Sequence, residues 1–183
     1  MFNRFIAFII MLFLIPIFFF VAIAILLEDG FPVFFKQKRV GLNYTFFNIY
    51  KFRSMKKNTP NVATHLLKNP GQYLLKIGAF IRKTSLDELP NLINIIKGEM
   101  VFVGPRPALY SQDDLMALRV AVGVDKLKPG ITGWAQINGR DEISIEEKVA
   151  LEKEYSERKS FLFDVVIVVK TFTSVLRSKG VAH

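Results

Sequence analysis

The feature that most constrains the fold is an uninterrupted apolar segment near the N-terminus. It comprises the 23 residues 5–27, with Arg4 before it and Glu28 and Asp29 after it. As an α-helix this segment would rise ~35 Å, which exceeds the ~30 Å hydrocarbon core of a bilayer. A signal peptide has a shorter apolar region, about 7–15 residues, and a small-residue cleavage site that the terminal Ile-Leu-Leu does not provide. The sequence therefore predicts a retained membrane helix.

Pro16 lies at the centre of this segment, where a proline removes a backbone hydrogen bond and costs ~3 kcal/mol in a helix interior. Two arrangements follow: a kinked helix that spans the bilayer, or a helix that breaks at Pro16 and returns to the side from which it entered. Because most proline-containing membrane helices only kink, the residues alone favour the span. Seven Lys and Arg residues between positions 36 and 57 place the following chain in the cytoplasm.

The composition excludes several kinds of catalytic and metal site, and the charge predicts the kind of partner. There are no cysteines and two histidines, which excludes disulfides, cysteine nucleophiles and multi-histidine metal sites. The net charge of +9 predicts an anionic partner. Residues 30–86 contain eleven Lys or Arg and no Asp or Glu, and Asp87 and Glu88 then follow. This basic segment is either a surface facing solvent or lipid headgroups, or a site for a phosphorylated ligand with one carboxylate pair inside it.

The residue patterns predict an α+β fold that is mostly helical. Alternation over residues 32–40 and 45–53, on either side of a turn at Gly41, is typical of a β-hairpin. Helices are predicted over residues 73–81, 86–97, 111–122, 144–159 and 161–176, with a buried strand as the alternative for the last. Residues 128–140, with three glycines and one proline, are expected to form an ordered loop.

Two interpretations of Asp87 and Glu88 are open. In the structural one, Ser85 is a helix N-cap and Glu88 completes a capping box, so Asp87 only compensates the helix dipole. In the functional one, a carboxylate among cations at a helix N-terminus stays ionised at neutral pH and can bind Mg²⁺ or attack phosphorus. The polar stripe that Asp87 forms with Asn91 and Asn94 favours the functional interpretation.

Two further segments are candidates for phosphate binding. Arg106 lies in a Gly-Pro-Arg-Pro turn, where the prolines restrict the backbone and the guanidinium fork suits a phosphate. Residues 128–140 supply glycines for close backbone approach, amide side chains and a terminal arginine. Either segment on its own is equally consistent with a structural role. The sequence contains no GxxxxGK[ST] loop and no GxGxxG segment after a strand, which excludes the common nucleotide-binding loops.

Four segments occur together in one order: NIYKFRSM at 48–55, SLDELPNLINIIKGEM at 85–100, VGPRP at 103–107 and KPGITGWAQINGR at 128–140. This arrangement closely resembles the bacterial sugar transferase family, the small monotopic phosphoglycosyl transferases that begin glycan assembly on polyprenyl phosphate. The resemblance covers nearly the whole chain. It implies a Mg²⁺-dependent ping-pong reaction. In the reaction that the resemblance implies, Asp87 would attack the sugar-linked phosphate of a UDP-sugar, UMP would leave, and polyprenyl (undecaprenyl) phosphate would take up the phosphosugar.

The resemblance also assigns roles to individual residues. Asp87 is expected to be the nucleophile and a Mg²⁺ ligand, and Glu88 to be the second acid of the pair. Phosphate or nucleotide binding is expected from five side chains: Lys51, Arg82, Arg106, Gln136 and Arg140.

The resemblance further implies where the parts of the chain lie. Residues 1–29 would be a re-entrant membrane helix broken at Pro16. Residues 30–183 would be a catalytic domain on the cytoplasmic face of the bacterial inner membrane, with amphipathic helices at the membrane interface. The expected partners are the UDP-sugar, with an N-acetylated amino-sugar as the family-level expectation, polyprenyl phosphate and membrane lipid. No nucleic acid is expected, and a homo-oligomer is an open alternative to a monomer. The competing hypothesis is a non-catalytic, membrane-anchored basic module that binds anionic lipid or nucleic acid.

Overall fold

The apolar N-terminal segment forms one long helix, α1 (Phe2–Asp29), in the computed structural model, which describes residues 1–60, 69–139 and 143–176. Its 28 residues correspond to ~42 Å of helix. The helix ends at Gly30, whose φ of 63° lies in the left-handed region and whose N–H donates to the carbonyl of Leu26 at 3.0 Å. Pro16 lies inside the helix, which continues on both sides of it. The helical backbone thus continues through Pro16, and the predicted change of direction there, with the re-entrant topology, stays a prediction.

The remaining elements confirm the α+β, mostly helical class. The other helices are α2 (Lys76–Lys83), α3 (Asn91–Lys97), α4 (Asp113–Ala121), α5 (Trp134–Ile137), α6 (Ile145–Arg158) and α7 (Phe161–Leu176). The strands are β1 (Phe34–Val40), β2 (Phe46–Phe52), β3 (Val101–Val103), β4 (Ala108–Leu109) and β5 (Gly130–Thr132). The helices predicted near α4, α6 and α7 are confirmed, with ends displaced by at most two residues.

The strands form two small sheets. β1 and β2 make the predicted antiparallel hairpin, in register from Phe34 opposite Phe52 to Val40 opposite Phe46, and β4 adds to the free edge of β1. β3 pairs in parallel with β5. The prediction of a loop over residues 128–140 is thus wrong for β5 and α5. β5 forms because β3, whose paired residues lie 29 positions earlier in the chain, supplies its hydrogen-bonding partner, which local composition does not reveal.

α1 packs along its whole length against the rest of the chain. Towards its N-terminus, Ala7 is fully buried in a cluster with β2 and α3 that includes Ile95. Towards its C-terminus, Ile25 is fully buried in a second cluster with Phe52 and Ile81. The opposite side of the helix is exposed and apolar, and by length and composition α1 could cross a membrane.

Both ends of α1 are also hydrogen bonded to the folded domain. The Arg4 guanidinium donates to the carbonyls of Ile96 and Lys97 at the end of α3, at 2.7 Å each. At the other end, the Glu28 carboxylate accepts from the first two N–H groups of α2, at 2.6 and 3.2 Å. Arg53, 7 % exposed, forms an ion pair with the last residue of the helix. Polar contacts therefore fix α1 at two points that lie far apart along its axis.

The predicted helix over residues 86–97 is divided in two. Leu86–Glu88 form a 3₁₀ turn, and α3 begins only after Pro90. Ser85 has a φ of 56° and makes no side-chain capping bond, so the capping box predicted there is wrong. A capping box does occur at the start of α6, between Ser144 and its N3 residue. The structural interpretation of the acidic pair therefore loses its main support.

Candidate active site

The acidic pair lies in the 3₁₀ turn between α2 and α3. Leu86 and Leu89, on either side of the pair, pack into the apolar cluster that includes Phe52 of β2. Apolar packing of its neighbours thus holds the turn against the hairpin. Asp87 is only 9 % exposed, whereas Glu88 is half-buried.

Three of the cations expected from the sequence surround this pair. Lys51, from β2, donates through Nζ to Glu88 Oε1 at 2.7 Å. Arg106 Nη1 lies 3.9 Å from the same carboxylate oxygen. Arg82, from the last turn of α2, donates to the Ser54 hydroxyl at 2.9 Å. The electrostatic influence of Arg82 reaches Asp87, so the cations approach the acidic pair from three separate elements.

The protonation of Asp87 is tuned by opposing effects. Burial is the largest and raises the pKa of this carboxyl to about 6. The positive charges of Lys51 and Arg82 lower the pKa of Asp87, and the negative charge of Glu88 raises it. Burial also lowers the pKa of Arg82, against the opposite effect of Asp87. Asp87 is consequently a desolvated carboxylate that is mostly ionised at neutral pH, which suits a nucleophile.

A narrow cleft opens beside Glu88. Its polar lining combines three cations, one acid and one amide: Arg39, Lys51, Arg106, Glu88 and Asn91. Asn91 is 4 % exposed, and its side-chain oxygen is buried with no hydrogen-bond partner among the described residues. A buried acceptor of this kind is available to a ligand, an ion or an ordered water.

The acidic pair and the cleft beside it offer oxygen donors that fit a magnesium ion. Glu88 and Asn91 line the cleft, Asp87 precedes Glu88 in the 3₁₀ turn, and their carboxylate and amide oxygens are the hard donors that Mg²⁺ prefers. Within residues 1–60, 69–139 and 143–176, no group of three or more His, Asp or Glu side chains could hold a metal. The protein would therefore supply only part of the coordination shell. That is usual for Mg²⁺ sites completed by substrate phosphates and water.

Arg39 belongs to the cleft although the sequence did not single it out. Its Nη1 donates to the Pro107 carbonyl at 3.2 Å and its Nη2 to the Gln37 amide oxygen at 2.6 Å. Its Nε is buried without a described partner. Burial, the largest effect, and the nearby Arg106 together lower the pKa of Arg39 to about 10, while Glu88 opposes them. The hairpin register offered a signal, because it places Arg39 and Lys51 on the same face of the sheet.

A buried ion pair positions the segment that carries Arg106. Arg119 and Glu152, 4 % and 2 % exposed, are joined by two hydrogen bonds at 2.7 and 2.5 Å. Arg119 also donates to the Arg106 carbonyl at 2.9 Å. Gly104 lies so close to the segment before β5 that a Cβ there would be 2.4 Å from the carbonyl oxygen of Lys128. The segment is thereby held from both sides.

The other predicted site residues have different outcomes. Gln136, in α5, does not line the cleft, although both polar atoms of its amide are buried without a described partner. Arg140 lies outside the described residues. Asn94, expected on a polar stripe with Asp87, has a structural role instead. Its side chain accepts a hydrogen bond from Tyr50 N–H and donates one to the Asn48 carbonyl, which connects α3 to β2.

The site thus combines a partly buried acidic pair, cations from several elements and an adjoining apolar helix. The model of the family described as "Bacterial sugar transferase" matches residues 1–178. The chain belongs to this bacterial sugar transferase family.

Several curated proteins are similar to the chain. An "Uncharacterized sugar transferase EpsL" of Bacillus subtilis is 45 % identical over 85 % of this chain and 75 % of its own length. The "UDP-glucose:undecaprenyl-phosphate glucose-1-phosphate transferase" of Escherichia coli is 39 % identical over 88 % of this chain and 36 % of its own. The "Undecaprenyl-phosphate galactose phosphotransferase" of Salmonella typhimurium is 36 % identical over 84 % of this chain and 36 % of its own length.

Proposed function

We propose that this protein transfers a sugar phosphate from a UDP-sugar to polyprenyl phosphate, with Asp87 as the nucleophile. The observation that carries the proposal is the state of Asp87, a carboxylate 9 % exposed and flanked by the positive charges of Lys51 and Arg82. A protein that only binds anions gains nothing from a buried acid inside its basic site. Relatives named as undecaprenyl-phosphate sugar phosphotransferases support the acceptor.

The reaction proceeds in two displacements at one phosphorus atom. In the first, a carboxylate oxygen of Asp87 attacks the sugar-bearing phosphorus of the UDP-sugar. A P–O bond forms, the diphosphate P–O bond breaks, and UMP leaves with the electron pair. In the second, a phosphate oxygen of polyprenyl phosphate attacks the same phosphorus, and the bond to Asp87 breaks. The products are polyprenyl-diphospho-sugar and the free carboxylate, so each bond formed is matched by one broken.

The surrounding residues stabilise the charge that moves during these steps. Lys51 and Arg82 lie where they can offset the charge on the transferring phosphoryl group near Asp87. Arg106 presents a guanidinium fork to the adjoining cleft. Glu88 orients Lys51 through their 2.7 Å hydrogen bond. Mg²⁺, when bound by the carboxylates and Asn91, would neutralise charge on the phosphate oxygens.

The membrane topology that we propose is re-entrant. It is supported by the hydrogen bonds that join Arg4 and Glu28, at opposite ends of α1, to the same folded domain. A helix that crossed the bilayer would carry Arg4 away from its partners at the end of α3. The basic segment after α1 supports the cytoplasmic face of the inner membrane as the proposed location of this domain.

The test of the function is release of UMP from a panel of UDP-sugars, with and without polyprenyl phosphate. The panel includes N-acetylated amino-sugars, the family-level expectation, and the glucose and galactose in the relatives' names. Incubation with the correct UDP-sugar alone should add the mass of one phosphosugar to the intact protein.

Asp87→Asn keeps the size of the side chain and removes the anion, so we expect a folded protein with at least ~10³-fold lower turnover and no added mass. Asp113→Asn, at an exposed position in the first turn of α4, is the matched control and should react normally. Near-normal turnover of Asp87→Asn would refute the assignment of the nucleophile.

A further inference from the structure

We propose that Arg39 and Arg106 form a single subsite for a phosphate monoester. The subsite would hold the phosphate of the departing UMP and then, in the same place, the phosphate of the polyprenyl acceptor. This inference rests on the proposed function and extends it to a residue, Arg39, that the sequence did not single out.

The two arginines converge on the same cleft from different elements. Arg39 comes from β1 and Arg106 from the segment between β3 and β4, and both line the cleft together with Lys51 and Glu88. The cleft thus contains three cations and one acid, an excess that favours an anionic ligand.

The hydrogen bonding of Arg39 leaves part of its guanidinium unused. Its described partners, the Pro107 carbonyl and the Gln37 amide oxygen, are both neutral. Its Nε is buried without a partner among the described residues. Burial, and after it the positive charge of the neighbouring Arg106, lower the pKa of Arg39, and Glu88 acts in the opposite direction. Such an arrangement is unfavourable when empty, and a phosphate between the two guanidinium groups would relieve it by charge-assisted hydrogen bonds.

The chemistry of the proposed reaction explains why one subsite suffices. UMP and polyprenyl phosphate are both phosphate monoesters. The first leaves the phosphorus from the side opposite Asp87, and the second must attack from that same side to displace Asp87 in line. The second step is therefore the chemical reverse of the first, apart from the group esterified to the phosphate. A cation pair that stabilises the leaving phosphate stabilises the attacking one equally.

The shared subsite has a kinetic consequence in the wild-type enzyme. UMP and polyprenyl phosphate should exclude each other, so product inhibition by UMP should be competitive against polyprenyl phosphate. Two separate phosphate sites would instead permit simultaneous binding and non-competitive inhibition, which would overturn the proposal.

The variant test uses Arg39→Gln and Arg39→Lys. Lys38→Gln is the matched control, because Lys38 precedes Arg39 on β1, points to the other face of the sheet and lies 4.2 Å from the centre of the Phe46 ring. In Arg39→Gln the inhibition constant of UMP and the KM of polyprenyl phosphate should rise together, each about tenfold or more. Arg39→Lys should show smaller increases in both, and Lys38→Gln should show neither.

A purely structural role for Arg39 predicts a different result, namely a lower Tm and kcat with both constants unchanged, and this result would overturn the subsite. A rise in only one of the two constants would equally overturn the shared use.

Thermal denaturation with inorganic phosphate separates this inference from the proposed function. Phosphate should raise the Tm of the wild type and of Lys38→Gln, and it should raise the Tm of Arg39→Gln much less. This experiment needs no turnover. If no UDP-sugar in the panel releases UMP, the proposed function is refuted, but the phosphate experiment still tests the subsite. Equal stabilisation of the wild type and Arg39→Gln would overturn the anion subsite even if UMP release were normal.

Discussion

Replacing Asp87 with Asn should stabilise the folded protein at neutral pH while it abolishes turnover. Burial raises the pKa of this carboxyl from 3.8 to about 6, which means that the native state favours the protonated form. As the pH rises from 4 to 6, the unfolded chain loses this proton first. The free energy of unfolding of the wild type therefore falls over this range, and the loss is complete above pH 6.

The size of the effect follows from the pKa change. Each pKa unit corresponds to ~1.4 kcal/mol, so the ionised carboxylate lowers the stability of the wild type by ~3 kcal/mol above pH 6. The Asn variant is not subject to this loss. The difference in stability between Asp87→Asn and wild type should thus increase by up to ~3 kcal/mol between pH 4 and pH 7, in favour of the variant.

The measurement is thermal denaturation of both proteins in the same detergent, with EDTA to remove divalent ions, at several pH values from 4 to 8. Comparing the two proteins at each pH cancels the contribution of other titrating groups. Asp113→Asn removes an exposed carboxylate instead and should show no such increase. A stability difference for Asp87→Asn that is independent of pH, or that shrinks as the pH rises, would refute the conclusion that burial dominates the environment of Asp87.

Three further perturbations test other parts of the structure. Arg106→Lys keeps the charge but loses the two-pronged guanidinium group. It should lower kcat/KM by a factor equivalent to more than the ~1 kcal/mol of a surface ion pair. An unchanged kcat/KM would argue against a phosphate contact. Glu152→Gln leaves Arg119 buried without its charged partner; it should cost ~3–5 kcal/mol and lower the Tm by ~10 °C, so a nearly unchanged Tm would contradict the importance of this pair. Asn3→Cys, in a chain without other cysteines, should react with an impermeant maleimide only after cell lysis, whereas labelling of intact cells would exclude the re-entrant topology.

The features that could be predicted from the sequence are those encoded by local patterns. The hairpin followed from strict alternation around Gly41, and α6 and α7 followed from helical periodicity. The acidic pair stood out because it ends a long basic segment without acids. Each of these signals lies within a short stretch of chain and does not depend on a distant partner.

The features that were missed depend on contacts between distant segments. Ser85 has the sequence of a helix cap, but the packing of Leu86 and Leu89 places it in a left-handed turn instead. Arg39 lies on the face of the hairpin opposite to Lys36 and Lys38, but its place in the cleft depends on the segment that contains Arg106, which is distant in the sequence. Asn94 has the sequence position of a site residue, yet its buried amide is hydrogen bonded to the backbone of β2 at the unpaired edge of the hairpin.

The packing of α1 has a practical consequence for the preparation of the protein. Deleting the first 29 residues is the obvious way to obtain a water-soluble fragment for crystallisation or screening. That deletion would remove Ala7 and Ile25 from the two apolar clusters that support β2 and α3, and it would leave Ile95 and Ile81 facing solvent. The second of these clusters also holds the turn with the acidic pair, so the truncated chain should aggregate rather than yield an active soluble enzyme. Detergent or nanodisc preparations of the whole chain are the form in which inhibitors of this enzyme should be sought.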